Sequence, residues 1–188
     1  MISRCLLYGF RYATLLFTRH CREERMMRVA YADPPYIGQA KKHYSQDPNC
    51  AEVDHRQLIL DLMNYDGWAL SCSSPSLKEI LSYCSTDIRI GAWVKPFASF
   101  KPNVNPAYAW EPVIFWGGRN RGRDIPTLRD WVSANITMRK GLSGVKPRAF
   151  CFWIFEMLGC EHDDELIDLY PGSGAVTDAW NEWLGKMI

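Results

Sequence analysis

The chain has 188 residues, 47% of them hydrophobic and 13% aromatic, enough for one domain with a sizeable core and too few for two catalytic domains. With 23% charged residues and a net charge of +1, it is neither an acidic nor a disordered chain. Its seven cysteines are odd in number and show no metal-ligand pairing with the four histidines, so free thiols, a reducing cytoplasm and no bound metal are expected.

Residues 1–25 carry a charge of +3, with arginines around apolar stretches. The longest apolar run, Cys5 to Phe17, contains Arg11 and is too short to cross a bilayer. We read residues 1–25 as an extension and 26–188 as the folded domain, with no membrane partner. From Met27 onward short, almost wholly apolar strands alternate with helices, the pattern of an α/β sheet covered on both faces, that is, a doubly wound, Rossmann-like sheet.

Met27–Ala32 is the first strand and ends at Asp33-Pro34-Pro35, since neither proline can donate to a ladder. Residues 37–50 read as a polar loop able to close over a ligand. A helix over 51–64 places Leu58, Ile59, Leu62 and Met63 on one stripe. Gly67–Ser71 is the next strand, and a helix led by Pro75 spans 76–84. Two strands, Ile88–Val94 and Pro112–Trp116, follow with only a proline-rich connection between them, which predicts an antiparallel edge pair.

Residues 117–128 form a basic loop, and Arg119 to Arg148 hold eight basic residues against two acidic ones. A helix from Lys146-Pro147 to Leu158 buries Phe150, Trp153, Ile154, Met157 and Leu158. Glu165–Leu169 is the last strand, followed by a glycine turn over Tyr170–Gly174 and a helix over Ala175–Trp183. Beyond Phe152 the charge balance reverses to −7, so one edge of the molecule faces anions.

Two features carry chemistry. Asp33-Pro34-Pro35-Tyr36 occurs by chance in a chain of this length about once in a thousand, at ~5% usage per residue type. It also stands at the carboxyl end of a strand, where open α/β sheets bind ligands. Read alone, it is equally a strand stopped by prolines with a core tyrosine beyond. The second is Asp168-Leu169-Tyr170-Pro171-Gly172-Ser173-Gly174, a glycine turn whose following helix N-terminus favours an anionic group. No Lys-Ser/Thr follows it, so it is not a P-loop. His162 in its acidic surroundings reads as surface, and Trp93, Trp110, Trp116 and Trp131 as core and edge packing. Cys151 lacks a histidine nearby in the sequence, and the His162 beside Cys160 reads as surface, so no thiol nucleophile is expected.

Taken together, the tetrapeptide, the glycine turn and Lys146-Pro147 ahead of it resemble the amino-methyltransferases that modify adenine N6 or cytosine N4 in nucleic acid, using S-adenosylmethionine, in their permuted motif order. The resemblance spans residues 27–184. It implies a methyltransferase sheet, with Asp33, Pro34, Pro35 and Tyr36 as the catalytic residues. Asp168, Tyr170, Gly172, Ser173, Gly174, Lys146 and Pro147 would line the cofactor pocket.

An exocyclic amino group is a poor nucleophile because its lone pair is delocalised into the ring. Two acceptors, the Asp33 carboxylate and the Pro34 carbonyl, can draw it toward tetrahedral geometry, while Tyr36 stacks on the extruded base. Aspartate in first place leans, by resemblance, toward adenine N6 in DNA; cytosine N4 and RNA are the alternatives. Lys41 and Lys42, with His43, and Arg119, Arg121 and Arg123 are the candidates for phosphate contacts. The resembled arrangement continues beyond the glycine turn into a strand whose terminal acid binds the ribose, whereas 14 residues follow Gly174 here. The missing half-site would come from the N-terminal segment or from a second subunit of a homodimer. Otherwise the chain is a catalytically silent nucleic-acid-binding module.

Overall fold

A strand apolar on both faces is stable only between two covering layers, and Arg28–Ala32 (β1) is such a strand beyond its exposed first residue. Val29 and Tyr31 pack on one face and Ala30 and Ala32 on the other, each at most 1% exposed. In the computed structural model, which describes residues 25–38, 52–97, 103–139 and 142–186, β1 lies inside a six-stranded sheet. Its other strands are Gly67–Ser71 (β2), Arg89–Val94 (β3), Trp110–Gly117 (β4), Trp131–Ser133 (β5) and Glu165–Asp168 (β8). The order is β5-β3-β4-β2-β1-β8; β1 runs parallel to β2 and β8, β3 parallel to β5, and β4 antiparallel to β2 and β3.

The helices His55–Leu62 (α1) and Leu77–Leu81 (α2) cover the Ala30 face. The helices Arg148–Leu158 (α3) and Ala175–Lys186 (α4) cover the Tyr31 face. Aromatic side chains hold the second layer together: Phe155 meets Trp180 edge-on at 5.0 Å, and Trp153 meets Phe115 at 5.2 Å. Such pairs add about 0.5–1.5 kcal/mol each to their burial. Two further strands, Thr137–Arg139 (β6) and Leu142–Val145 (β7), form a separate hairpin.

Local chemistry sets the ends of these elements. Asp54 caps α1 by accepting from the Gln57 N–H at 2.9 Å, so the helix begins four residues later than the spacing predicts. Met63 is the C-cap and 39% exposed, leaving Leu58, Ile59 and Leu62 as the buried stripe. The helix expected over 76–84 splits into a 3-10 turn, Ser74–Ser76, and the short α2. The Pro147 carbonyl receives the Phe150 N–H, opening α3, and Gly159 ends it in the left-handed conformation.

The antiparallel pairing expected of 88–94 and 112–116 is present as β3–β4, with one more strand, β5, outside it. Pro112 is accommodated within β4 because it lies beyond the last β2–β4 pair, Ser71 with Val113. Its carbonyl accepts from Cys72 N, and in its pair with Ala92 of β3 the Ala92 N–H turns away to the Asp130 carbonyl, so the β3–β4 ladder does not call for the missing N–H. Sequence reading missed β5 and the β6–β7 hairpin, assigning no element between the basic loop over 117–128 and Lys146. At three or four residues each, they are too short to show a period. The reading of residues 1–25 as an extension lies outside the described residues except for Arg25, which pairs with Asp66 and whose carbonyl accepts from Arg119. Among the described residues no helix is long and apolar enough to cross a membrane.

Candidate active site

Because β8 is hydrogen-bonded to β1 in parallel register, with Tyr31 beside Asp168 and Leu169 N donating to Tyr31 O at 2.9 Å, both chains leave the sheet side by side at its carboxyl edge. Asp33 follows β1 and the glycine turn follows β8, so the two sequence features stand side by side at one edge of the sheet.

On the β8 side, Asp168 accepts the Tyr170 N–H through Oδ1 at 3.2 Å. Its Oδ2 is buried with no hydrogen-bond partner among the described residues. Burial, with the Asp33 carboxylate as a further cause, pushes its pKa up. Gly172 and Gly174 have φ of +45° and +75°, a region that costs most residues free energy, and a Cβ on Gly174 would meet nothing within 4 Å. The turn therefore presents bare backbone to open space directly before the N-terminus of α4, with Ser173 between the two glycines.

On the β1 side, Asp33 is ion-paired through Oδ1 with Lys146 Nζ at 3.0 Å. Burial raises the Asp33 pKa, and Lys146 only partly offsets that. The Lys146 side chain is 6% exposed and also lies 3.4 Å from Glu111 Oε2, while the other Glu111 oxygen pairs with Lys95. Both ammonium groups stand over the Trp93 ring, at 4.7 and 5.1 Å, and the Trp93 indole N–H donates to the Ala134 carbonyl. Burial works against the Lys146 charge, but Asp33 and Glu111 outweigh it and raise the pKa. In the same way Lys146 and Lys95 overcome burial to lower the Glu111 pKa.

The Tyr36 hydroxyl faces the Glu111 carboxylate, and burial, with Asp33 and Glu111 as further causes, drives its pKa well up. Pro34 is buried, so its carbonyl is held by packing as well as by its ring. Tyr31, beneath the site, shares a 2.8 Å hydrogen bond with Ser71.

The structure thus brings Asp33, Tyr36, Lys146, Asp168 and the glycines together. Lys146 is placed on the Asp33 carboxylate, and Pro147 is the buried N-cap of α3. It does not bring Arg119, Arg121 or Arg123 there. Since β4 runs antiparallel to β2, with Gly117 beside Gly67, the loop after β4 leaves from the opposite edge of the sheet. There Arg119 is a strut, bound to Asp164, Glu161, the Gly159 carbonyl and the Arg25 carbonyl. Arg121 donates to the Glu156 and Pro126 carbonyls. Lys41, Lys42 and His43 lie outside the described residues.

Glu111 and Lys95 escaped sequence reading; the available signal was one acid in an otherwise apolar strand, WEPVIFWG. Burial raises the Cys151 and Cys160 thiols to about 12, which leaves both as inert apolar groups.

No family model and no curated protein matches this chain. Solved structures do. M1.HpyAVI in complex with SAM superposes with a TM-score of 0.57 at 16% identity, covering 84% of this chain and 78% of that one. M1.HpyAVI alone gives 0.51 at 16% identity, covering 85% and 77%. At that identity the likeness is one of architecture, and the architecture of this six-stranded mixed sheet is the methyltransferase fold.

Proposed function

We propose that the chain is an S-adenosylmethionine-dependent methyltransferase acting on an exocyclic amino group in DNA, with adenine N6 as the acceptor by resemblance. The observation that carries this reading is the parallel pairing of β1 with β8, which sets Asp33 beside the Asp168–Gly174 turn. The turn also suits the cofactor. The unpartnered Asp168 Oδ2 can accept from an ammonium group or lie beside a sulfonium, and the bare backbone at Gly172 and Gly174 admits close approach. When bound there, the cofactor supplies an electrophilic methyl group on a sulfonium, released to the acceptor nitrogen as the carbon–sulfur bond breaks.

The residues of the chain govern the nitrogen. The ionised Asp33 accepts one N–H and the Pro34 carbonyl the other, which localises the lone pair and points it at the methyl donor. After transfer the surplus proton on nitrogen passes to Asp33, whose raised pKa makes it a competent proton acceptor, and then to water. Tyr36 offers a ring for the base, and Lys41 and Lys42 are proposed to meet phosphates just past it.

The test is nucleoside mass spectrometry of duplex DNA incubated with the protein and S-adenosylmethionine. N6-methyladenine is the expected product, and N4-methylcytosine would change the acceptor. No methylated nucleoside from DNA or RNA, together with no S-adenosylmethionine binding by isothermal titration, would leave a silent binding module.

A further inference from the structure

Glu111 is an acid on a central strand, 17% exposed, with three cationic or hydroxyl groups directed at one carboxylate. One oxygen holds Lys95, the other shares Lys146 with Asp33, and the Tyr36 hydroxyl stands near the same group. Such a carboxylate is costly to bury and is retained only where its partners repay the desolvation. Here the partners belong to the proposed site. Two ammonium groups share the face of Trp93, and two carboxylates share Lys146. With Glu111 neutral, Lys146 would fall entirely to Asp33.

We propose that Glu111, backed by Lys95, is a positioning residue for methyl transfer: it divides the Lys146 ammonium with Asp33, so that Asp33 keeps an oxygen for the acceptor amino group. Glu111 does not touch the reacting atoms; it acts through Lys146. This rests on the methyltransferase reading above.

The test uses the full chain with Glu111→Gln, which keeps shape and removes charge. The Asp33 carboxyl is followed by carbon-13 NMR across pH. Its charged or titratable neighbours are Lys146 before α3, Cys151 in α3, Lys95 after β3, Glu111 in β4, Asp168 in β8, and Tyr31 and Tyr36 on its own strand and loop. Losing the Glu111 charge strengthens the hold of Lys146, so the Asp33 midpoint moves to lower pH. Methyl transfer falls in kcat on the order of tenfold while the S-adenosylmethionine Kd stays put.

Glu111→Asp, which retains the charge and folds under milder strain, keeps the midpoint near that of the parent and recovers part of the rate. An unmoved Asp33 midpoint in Glu111→Gln, with transfer intact, overturns the inference. A parent protein that transfers no methyl group while the midpoint still moves overturns the functional reading and leaves the coupling standing.

Discussion

In the proposed reaction turnover depends on Asp33, whose surroundings set the pH at which that reaction runs. Burial favours its neutral form and Lys146 opposes this incompletely, so its pKa is raised. Because accepting an N–H requires the carboxylate, kcat is expected to fall as pH drops through a value above the range of exposed carboxylates; Lys146, with its pKa raised, stays cationic throughout. A pH–rate profile checks this. An acid limb at the ordinary carboxylate value would contradict it. Asp33→Ala should lower turnover by at least about 100-fold and leave S-adenosylmethionine affinity nearly unchanged by isothermal titration, since Asp33 belongs to the acceptor side. The tetrapeptide and the glycine turn were legible in the sequence because each is contiguous and sits where a strand stops. Glu111 and Lys95 were not, because their contacts to Lys146, Trp93 and Tyr36 are made between separate strands and loops.

Between elements, two contacts decide how the layers fit. Gly91 in β3 lies under the Trp153 ring of α3, and a Cβ there would stand 2.8 Å from two ring atoms and 2.9 Å from the Asp130 carbonyl. Gly91→Ala should therefore cost about 1–3 kcal/mol through overpacking, read as a lower urea midpoint with an unchanged slope. At the opposite edge, Asp164 has a fully buried side chain. It accepts from Met27 N at 2.7 Å and Glu161 N at 2.8 Å and is paired with Arg119, joining the entry to β1, the loop after β4 and the approach to β8.

Burial disfavours the Asp164 charge, but Arg119 and the two N–H donors outweigh it and lower the pKa. Its contribution to stability is thus present above the unfolded carboxylate pKa and is lost as pH falls through the lower folded value. Arg119→Met, which leaves that charge unpaired, should destabilise by about 3 kcal/mol in urea titration at neutral pH. The long strands and the two amphipathic helices α1 and α3 were legible from their periods. The three-residue β5, with Trp131 41% exposed, carries none, and Pro112 argued against the interior place that β4 in fact occupies.

For the molecule as a whole, strand direction separates the basic loop from the candidate site. Arg123 is exposed at the edge where β1 and β2 begin, whereas Asp33 stands where β1 ends. Arg123→Ala should leave both DNA affinity and its salt dependence unchanged in fluorescence anisotropy, although the charge pattern alone marked this loop for phosphate. The two-faced sheet was legible because β1 and β2 are apolar at nearly every position. The strand order was not, since it depends on pairings that no local pattern encodes. One of these, β1 with β8, joins residues 137 apart, as between Arg28 and Glu165. During synthesis the first strand must wait for nearly the last before one of its flanks is filled. Until then that flank of β1 stays unpaired, so late closure of the sheet is built into the same pairing that sets Asp33 beside the glycine turn.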